Sequence, residues 1–341
     1  MQNIIYAPGD MVYVYFTSGT TGIPNVIAGK NESLVQFLLW QIETYSIDEG
    51  YRISQLAAVG FDAFLRDIFV PLFVGGTVCV PGPTDMERLS DWADDNCINL
   101  VHCVPSVFRL LDAEEITAAN YAHLKYIVMS GEPLKPNELK RWYGIFGDRI
   151  QLVNYYGTSE TTMSKTYHFI CGGEIEGERI PAGQPIRGSR TIVLDKQLKL
   201  CGRGIIGEIY IKTPYRTYGY LNNPELNAER FIKNPFSKGD RDLLHKTGDI
   251  GKELENGEIE VLGRVDRQVK ISGVRIELES IENCLLKHSK IEKAILINRK
   301  DKNGDNYLCA YIVYKRQVMA EMGKEPSVSE LREHLGKELP E

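Results

Sequence analysis

Four short stretches of this chain carry residues whose types and spacing could do chemistry. Thr17-Ser18-Gly19-Thr20-Thr21-Gly22 sets four hydroxyls and two glycines into six positions. Glycine lets a backbone turn tightly and approach a ligand, and hydroxyls with main-chain N–H groups can surround phosphate oxygens. The spacing is not G-x-x-x-x-G-K, so this is no Walker A loop, and alone it equally describes a polar turn. Asn154-Tyr155-Tyr156-Gly157-Thr158-Ser159-Glu160-Thr161-Thr162 holds an aromatic face, a glycine, hydroxyls and one carboxylate. Such a set can stack a base, reach phosphates and hold Mg²⁺. It also suits a strand-end loop that caps a helix. In His245-Lys246-Thr247-Gly248-Asp249 a carboxylate follows a glycine turn and could accept two hydrogen bonds from a ribose diol, although such a segment is often a plain turn. The stretch from Gly263 to Glu277 alternates charged with apolar residues, as a solvated edge strand does.

The elements that must position these groups follow from hydrophobic period. Strand-like runs at 11–16, 52–58, 77–81, 99–104, 126–129 and 151–155 alternate with helical periodicity at 32–45, 62–74 and between most of the others. That alternation predicts an α/β fold, a large layered domain with crossover helices. From about Ile180 to Leu262 the texture changes to short strands and turns, which predicts antiparallel sheet. Beyond it, QVKIS, ELESIENCLLK, KAILIN, YLCAYIVY and SVSELREHLGK read as strand, helix, strand, strand and helix of a small α+β unit. The expected division is 1–265 for the large domain and 266–341 for the small one. Gly202-Arg203-Gly204-Ile205-Ile206-Gly207 matches G-x-G-x-x-G, but strand-like residues follow it. Dinucleotide binding needs a helix N-terminus there, so a hairpin turn is expected.

Composition removes whole function classes. The net charge of −6 supplies no basic field for nucleic acid or an anionic membrane. No apolar run is long enough to span a bilayer, and the first residues lack a signal-peptide pattern. Seven scattered cysteines with no C-x-x-C spacing predict reduced core residues in a cytoplasmic protein. The histidines form no H-E-x-x-H pair, so zinc is not expected.

Taken together and in order, the four stretches resemble the adenylate-forming superfamily, which includes acyl-CoA synthetases, luciferases and nonribosomal peptide synthetase adenylation domains. The peptide synthetase branch is most similar, through Phe61-Asp62-Ala63, 154–162, Thr247-Gly248-Asp249 and 263–277. The resemblance implies ATP and Mg²⁺ as cofactors, an amino-acid substrate, and a peptidyl carrier protein whose phosphopantetheine thiol receives the acyl group. It places Thr17, Ser18, Gly19, Thr20, Thr21 and Gly22 on the β- and γ-phosphates and stacks Tyr156 on adenine. Ser159 and Thr161 fall near the phosphates, Glu160 on Mg²⁺, and Asp249 on the ribose hydroxyls with help from Arg264. Asp266 falls on the hinge about which a small domain rotates between two half-reactions.

Departures from the family pattern are also present. Pro24-Asn25-Val26 stands where Pro-Lys-Gly is usual, and Ser272 where Arg is usual. The upstream part of the large domain and a C-terminal lysine are expected to lie outside 1–341, so the chain reads as part of a larger synthetase. Two rival readings remain at this point, a stand-alone acyl-CoA synthetase and a nucleotide-binding module without catalysis.

The resemblance also assigns an amino-acid pocket. Asp62 would bind the α-ammonium, with Ala63, Arg66, His102, Val128, Ser130, Tyr155, Met163 and Ser164 lining the rest. Arg66 and His102 point to an acidic, aspartate-like substrate, because a guanidinium forks onto a carboxylate and histidine can donate a third bond. Against this, Asp62 and Arg66 stand four apart on a helix and could pair with each other, and His102 could be a satisfied core histidine.

Overall fold

The computed structural model describes residues 6–17, 24–112, 115–239, 242–266, 268–271, 274–301, 306–315 and 326–337. In chain order the first elements are β1 (Met11–Thr17), β2 (Asn25–Lys30), α1 (Asn31–Tyr45), β3 (Arg52–Ser54), α2 (Ala63–Val74) and β4 (Thr77–Cys79). They are followed by α3 (Leu89–Asp95), β5 (Leu100–Cys103), α4 (Pro105–Leu111), β6 (Tyr126–Met129), α5 (Pro136–Phe146), β7 (Gln151–Gly157) and β8 (Ser164–Phe169). Next come β9 (Gln184–Pro185), β10 (Arg190–Leu194), β11 (Gly207–Lys212), β12 (Gly219–Tyr220), α6 (Pro224–Arg230), β13 (Phe231–Lys233), β14 (Leu243–Glu253) and β15 (Ile259–Arg264). The last are β16 (Val269–Ile271), β17 (Val274–Ile276), α7 (Leu278–Lys287), β18 (Ile291–Lys300), β19 (Asn306–Tyr314) and α8 (Val328–Gly336).

Contacts divide the chain into two compact units, Met1–Tyr15 with Val26–Val265 and Phe16–Asn25 with Asp266–Glu341. The first unit is built on a seven-stranded sheet in the order β4-β3-β5-β6-β7-β8-β9. Strands β3 to β7 pair in parallel, and β8 and β9 return antiparallel. Its central strands are buried throughout, LVHC in β5 and nearly all of YIVM in β6. Such unbroken apolar runs belong to strands covered on both faces. α1 buries Leu34, Phe37, Leu38, Gln41 and Tyr45, the stripe of a helix lying on a sheet. It packs with Val128, Val153, Tyr155 and Met163 in one core cluster. A second cluster centres on Trp142, Phe108, Tyr121 and Leu139. The α/β expectation therefore holds for this unit.

The strand-rich section forms a five-stranded antiparallel sheet, β10-β11-β14-β13 with β15 on β14, and a three-stranded sheet β1-β2-β12. The 202–207 stretch leads into β11, a strand, as expected of a turn. One helix interrupts the section: α6, with Pro224 in its first turn and the Asn223 side chain accepting from Leu226 N. The second unit holds the hairpins β16–β17 and β18–β19 with α7 and α8 over a small core that includes Leu278, Leu285, Ile291 and Leu296. No helix among the described residues is long and apolar enough to cross a membrane.

Two sequence expectations need correction. The strand expected at 52–58 ends at Ser54: Gln55 N still reaches Cys79 O at 2.8 Å, but the donors after it are diverted. Leu56 N and Ala57 N both reach the Asp67 carboxylate, at 3.3 and 3.1 Å, rather than a ladder partner. All seven cysteines are free thiols, but Cys171 is exposed, ahead of a short 3₁₀ turn, and not in the core.

Candidate active site

Polar side chains gather along the 156–164 segment that links β7 to β8, against β12, β14 and the start of α2 in the first unit. At β14 and β15, Asp249 lies opposite Arg264 in register. Arg264 Nη1 donates to Asp249 Oδ1 at 2.8 Å, and the Tyr156 hydroxyl donates to Oδ2 at 2.7 Å. Gly248 has φ 77°, so the turn that aims Asp249 suits glycine. Thr247 Oγ1 accepts from Asp249 N at 3.0 Å. Burial and the Asp249 charge push the Tyr156 phenol well above its ordinary value, so it remains a donor. The three residues expected at the nucleoside are thus in direct contact.

Beyond Tyr156, β7 meets β8 so closely that glycine is required. A Cβ on Gly157 would lie 2.4 Å from Met163 O and 2.5 Å from Ser164 Cα. The intervening turn carries Glu160, whose side chain is fully buried. Tyr220 on β12 donates its hydroxyl to Glu160 Oε1 at 2.5 Å, and His245 Nε2 stands 3.9 Å from Oε2. The Glu160 carbonyl accepts from Thr217 Oγ1 at 2.6 Å, which fixes the turn from outside. Thr161 is buried, with its hydroxyl donating to Thr158 O at 3.0 Å. Thr162 and Met163 both take positive φ, 68° and 57°, strained for residues with side chains. Ser18, Gly19, Thr20, Thr21 and Gly22 lie outside the described residues, and Thr17 ends β1. Asp266 Oδ1 accepts from Gln268 N at 3.2 Å.

The residues expected to line an amino-acid pocket lie on α2, β5, β6, the end of β7 and the 157–164 turn, with Asp62 just ahead of α2. Met163 N donates to Asp62 Oδ2 at 3.1 Å. Ser159, expected at the phosphates, is a hydrogen-bond partner of Asp62. Burial raises the Asp62 carboxyl, while Met163 N, Ser159 and Arg66 act to lower it. Ala63 opens α2 immediately after Asp62. Val128 is buried in register with His102, and Ser130 N donates to Cys103 O at 3.1 Å. Tyr155, Met163 and Ser164 are buried, the first two in the cluster that holds Val128.

Arg66 and His102 meet through a residue that sequence reasoning missed. Arg66 Nε donates to Asp67 Oδ1 at 3.1 Å, and His102 Nδ1 faces the same oxygen at 3.1 Å. Arg66 therefore pairs with its neighbour Asp67, not with Asp62. Asp67 is fully buried, yet Arg66 and His102 hold its carboxyl below the usual range. The Gln41 amide on α1 donates to His102 Nε2. With Nε2 accepting, the ring proton sits on Nδ1 toward Asp67, and burial pulls His102 down to about 4. The neutral ring of His102 therefore brings no positive charge, and its Nδ1 stands beside the Asp67 carboxylate. Asp67 thus stands where it competes for the N–H that His102 was expected to offer a substrate carboxylate.

A second missed residue is Lys165, which is fully buried on β8 beside Ser164. Its Nζ donates to Thr162 O at 2.7 Å and lies 5.6 Å from the Phe37 ring centroid. Burial lowers its ammonium from 10.5 to about 7, with the Asp62 charge opposing. Its one signal in the sequence was a lone lysine inside a buried strand pattern. Because its folded value lies below its unfolded one, the unfolded chain binds more protons between pH 7 and 10.5, and stability rises with pH there. Lys165→Met is accordingly expected to raise Tm most below pH 7, with the gain shrinking toward pH 10.5. Thermal melts of both chains across that range check this, and a Tm difference flat in pH would contradict it.

Residues 2–221 match the AMP-binding enzyme family. The chain is 36% identical over 336 residues to bacitracin synthase 1 of Bacillus licheniformis, covering 98% of this chain and 6% of that protein. To tyrocidine synthase 3 of Brevibacillus parabrevis it is 33% identical over 334 residues, covering 98% of this chain and 5% of that one. The chain thus spans a small part of the curated relatives it matches. Its fold is shared with NpsA-ThdA, an artificially fused adenylation-PCP di-domain from Klebsiella oxytoca. There the TM-score is 0.83 at 23% identity, covering 99% of this chain and 64% of the other. From a family match over most of its length, and relatives above 30% identity over nearly all of it, this chain belongs to the AMP-binding enzyme family.

Proposed function

We propose that this chain activates an amino acid with ATP, forming an aminoacyl-AMP and then passing the acyl group to the phosphopantetheine thiol of a carrier protein. The observation that carries the reading is how the 156–163 segment joins two sites. Tyr156 at one end bonds Asp249, and Met163 at the other bonds Asp62. A nucleoside held at Asp249 and an ammonium held at Asp62 would therefore be set a fixed distance apart by one turn. In the reaction, a carboxylate oxygen of the amino acid attacks the α-phosphorus. The bond from that phosphorus to pyrophosphate breaks, and pyrophosphate leaves. The protein's part is to orient both reactants and to stabilise developing charge. Asp249 takes the ribose hydroxyls, with Arg264 and Tyr156 fixing its oxygens, and Asp62 takes the ammonium. Asp266 would serve as the hinge at which the small unit turns for thioester formation.

Glu160 is the residue that would hold Mg²⁺. Among the described residues no group of three His, Cys, Asp or Glu side chains suits a metal. A lone carboxylate fits Mg²⁺, which keeps several waters and is shared with substrate phosphates. When bound, the ion supplies positive charge to the phosphate oxygens. Tyr220 and His245 hold the carboxylate in place.

The substrate is proposed to be acidic and aspartate-like. Arg66 spends Nε on Asp67, while Nη1 and Nη2 make no hydrogen bond to another described residue. Those two groups would fork onto a side-chain carboxylate. Asparagine cannot accept both, and a buried donor left unpaired costs about 1–3 kcal/mol, roughly ten- to a hundredfold. Amino-acid-dependent pyrophosphate exchange should favour aspartate and methyl-aspartate over asparagine and leucine by that margin. Arg66→Ala should narrow the aspartate-to-asparagine gap. A wild-type preference for leucine or asparagine, or an equal loss for all substrates in Arg66→Ala, would overturn the acidic reading.

A further inference from the structure

The charges around Asp62 do not balance an acidic substrate with Arg66 alone. An aspartate-like molecule brings an ammonium, the reacting carboxylate and a second carboxylate. Asp62 answers the ammonium. Arg66 is already paired with Asp67, and His102, held neutral by burial, contributes no charge. A second carboxylate entering this space would meet a region without net positive charge, which is costly in a desolvated site.

Lys165 is the cation left over. It is fully buried, and no ion pair joins its Nζ to a carboxylate of a described residue, although the Asp62 charge acts on it from farther away. One of its three N–H groups is used, on Thr162 O, the residue that also receives the Tyr13 hydroxyl. Its ammonium stands 5.6 Å from the ring centroid of Phe37, a member of the cluster that contains Val128, Tyr155 and Met163. Main-chain geometry holds it there. Gly157 presses against Lys165 N, where a Cβ would stand 2.8 Å away, and Lys165 O accepts from Ile186 N at 3.0 Å. A buried ammonium with a carbonyl, a ring face and only the more distant Asp62 charge is expensive for the fold alone.

We propose that Lys165 is a specificity-determining residue of the amino-acid pocket, supplying the positive charge that balances a second carboxylate on the substrate. This rests on the acidic reading above and adds a residue to it. Arg66 shapes the carboxylate site by its planar fork, and Lys165 sets the charge of the pocket. The ammonium's value of about 7 fits this role, because a bound carboxylate would raise it and hold the charge.

The test uses the purified protein as wild type, Lys165→Met and Lys165→Arg. Pyrophosphate exchange is measured with aspartate, methyl-aspartate, asparagine and leucine, and Tm is taken for each. In Lys165→Met the aspartate-to-asparagine ratio of kcat/KM should fall about ten- to a hundredfold, mostly through KM for aspartate. Tm should hold or rise, since an unbalanced buried charge is removed. Lys165→Arg, if folded, should keep part of the ratio. A wild type that prefers neutral amino acids defeats the acidic reading and this proposal with it. A wild type that prefers aspartate, with Lys165→Met keeping that ratio, defeats the Lys165 role alone. Equal loss for all four substrates with a lowered Tm would show a purely structural lysine and also overturn the proposal.

Discussion

Replacing Glu160 with glutamine is expected to lower amino-acid-dependent pyrophosphate exchange on the order of a hundred- to a thousandfold, with little change in Tm. Glutamine keeps the side chain's shape, so the buried turn between β7 and β8 retains its packing. The carbonyl oxygen of the new amide can still accept from Tyr220, whose hydroxyl now meets Glu160 Oε1 at 2.5 Å. The main-chain anchor, Glu160 O to Thr217 Oγ1 at 2.6 Å, does not involve the side chain. What is lost is the negative charge, and with it the hold on a hard divalent cation. Mg²⁺ titrations should show the loss as a raised metal requirement, partly recovered at high Mg²⁺. Near-normal turnover with an unchanged Mg²⁺ dependence would remove Glu160 from this role.

Asp249→Asn should weaken ATP use about a hundredfold or more, chiefly as KM for ATP. A hydrogen bond to a charged group contributes about 1.5–3 kcal/mol, and a ribose diol would place two on this carboxylate. Asparagine also upsets the site before any ligand arrives. Arg264 and Tyr156 both donate to Asp249, to Oδ1 and Oδ2 respectively. The amide can accept from one of them and must turn an NH₂ toward the other. Tm should therefore fall as well, since donors in a largely buried site lose their acceptor. Tyr156→Phe removes only the phenolic bond and should cost roughly tenfold or less in KM for ATP, with the aromatic face kept. If Asp249→Asn left KM for ATP within twofold while Tm held, the carboxylate would not be the ribose anchor.

Much of this architecture was legible in the residues. Hydrophobic period placed β1, α1, α2, the central strands and the β18–β19 hairpin, because a buried face imposes its period on any sequence, whereas the short β17 was not read. The ordered polar stretches named Tyr156, Glu160, Asp249 and Arg264, since glycine turns beside hydroxyls and carboxylates are readable one segment at a time. The G-x-G-x-x-G stretch was separable from dinucleotide binding for the same local reason: a strand follows it.

What only the tertiary structure decided were partnerships across segments. Arg66 and Asp62 stand one helical turn apart in sequence, yet Arg66 turns to Asp67, which also stops β3 by taking Leu56 N and Ala57 N. No local pattern marks one acidic residue as the hub of four donors from three places in the chain. His102 read as a donor for a substrate, but Gln41 from α1 bonds its Nε2 and the Asp67 carboxylate from α2 stands 3.1 Å from its Nδ1. Lys165 read as one more charge in a strand, but the close approach of β7 to β8 at Gly157 and the aromatic wall of α1 bury it completely. The sequence by itself determined which groups could do the chemistry, because type and spacing are local properties. The fold decided which of them are already spoken for, because burial and counter-charge are set by residues far away in the chain.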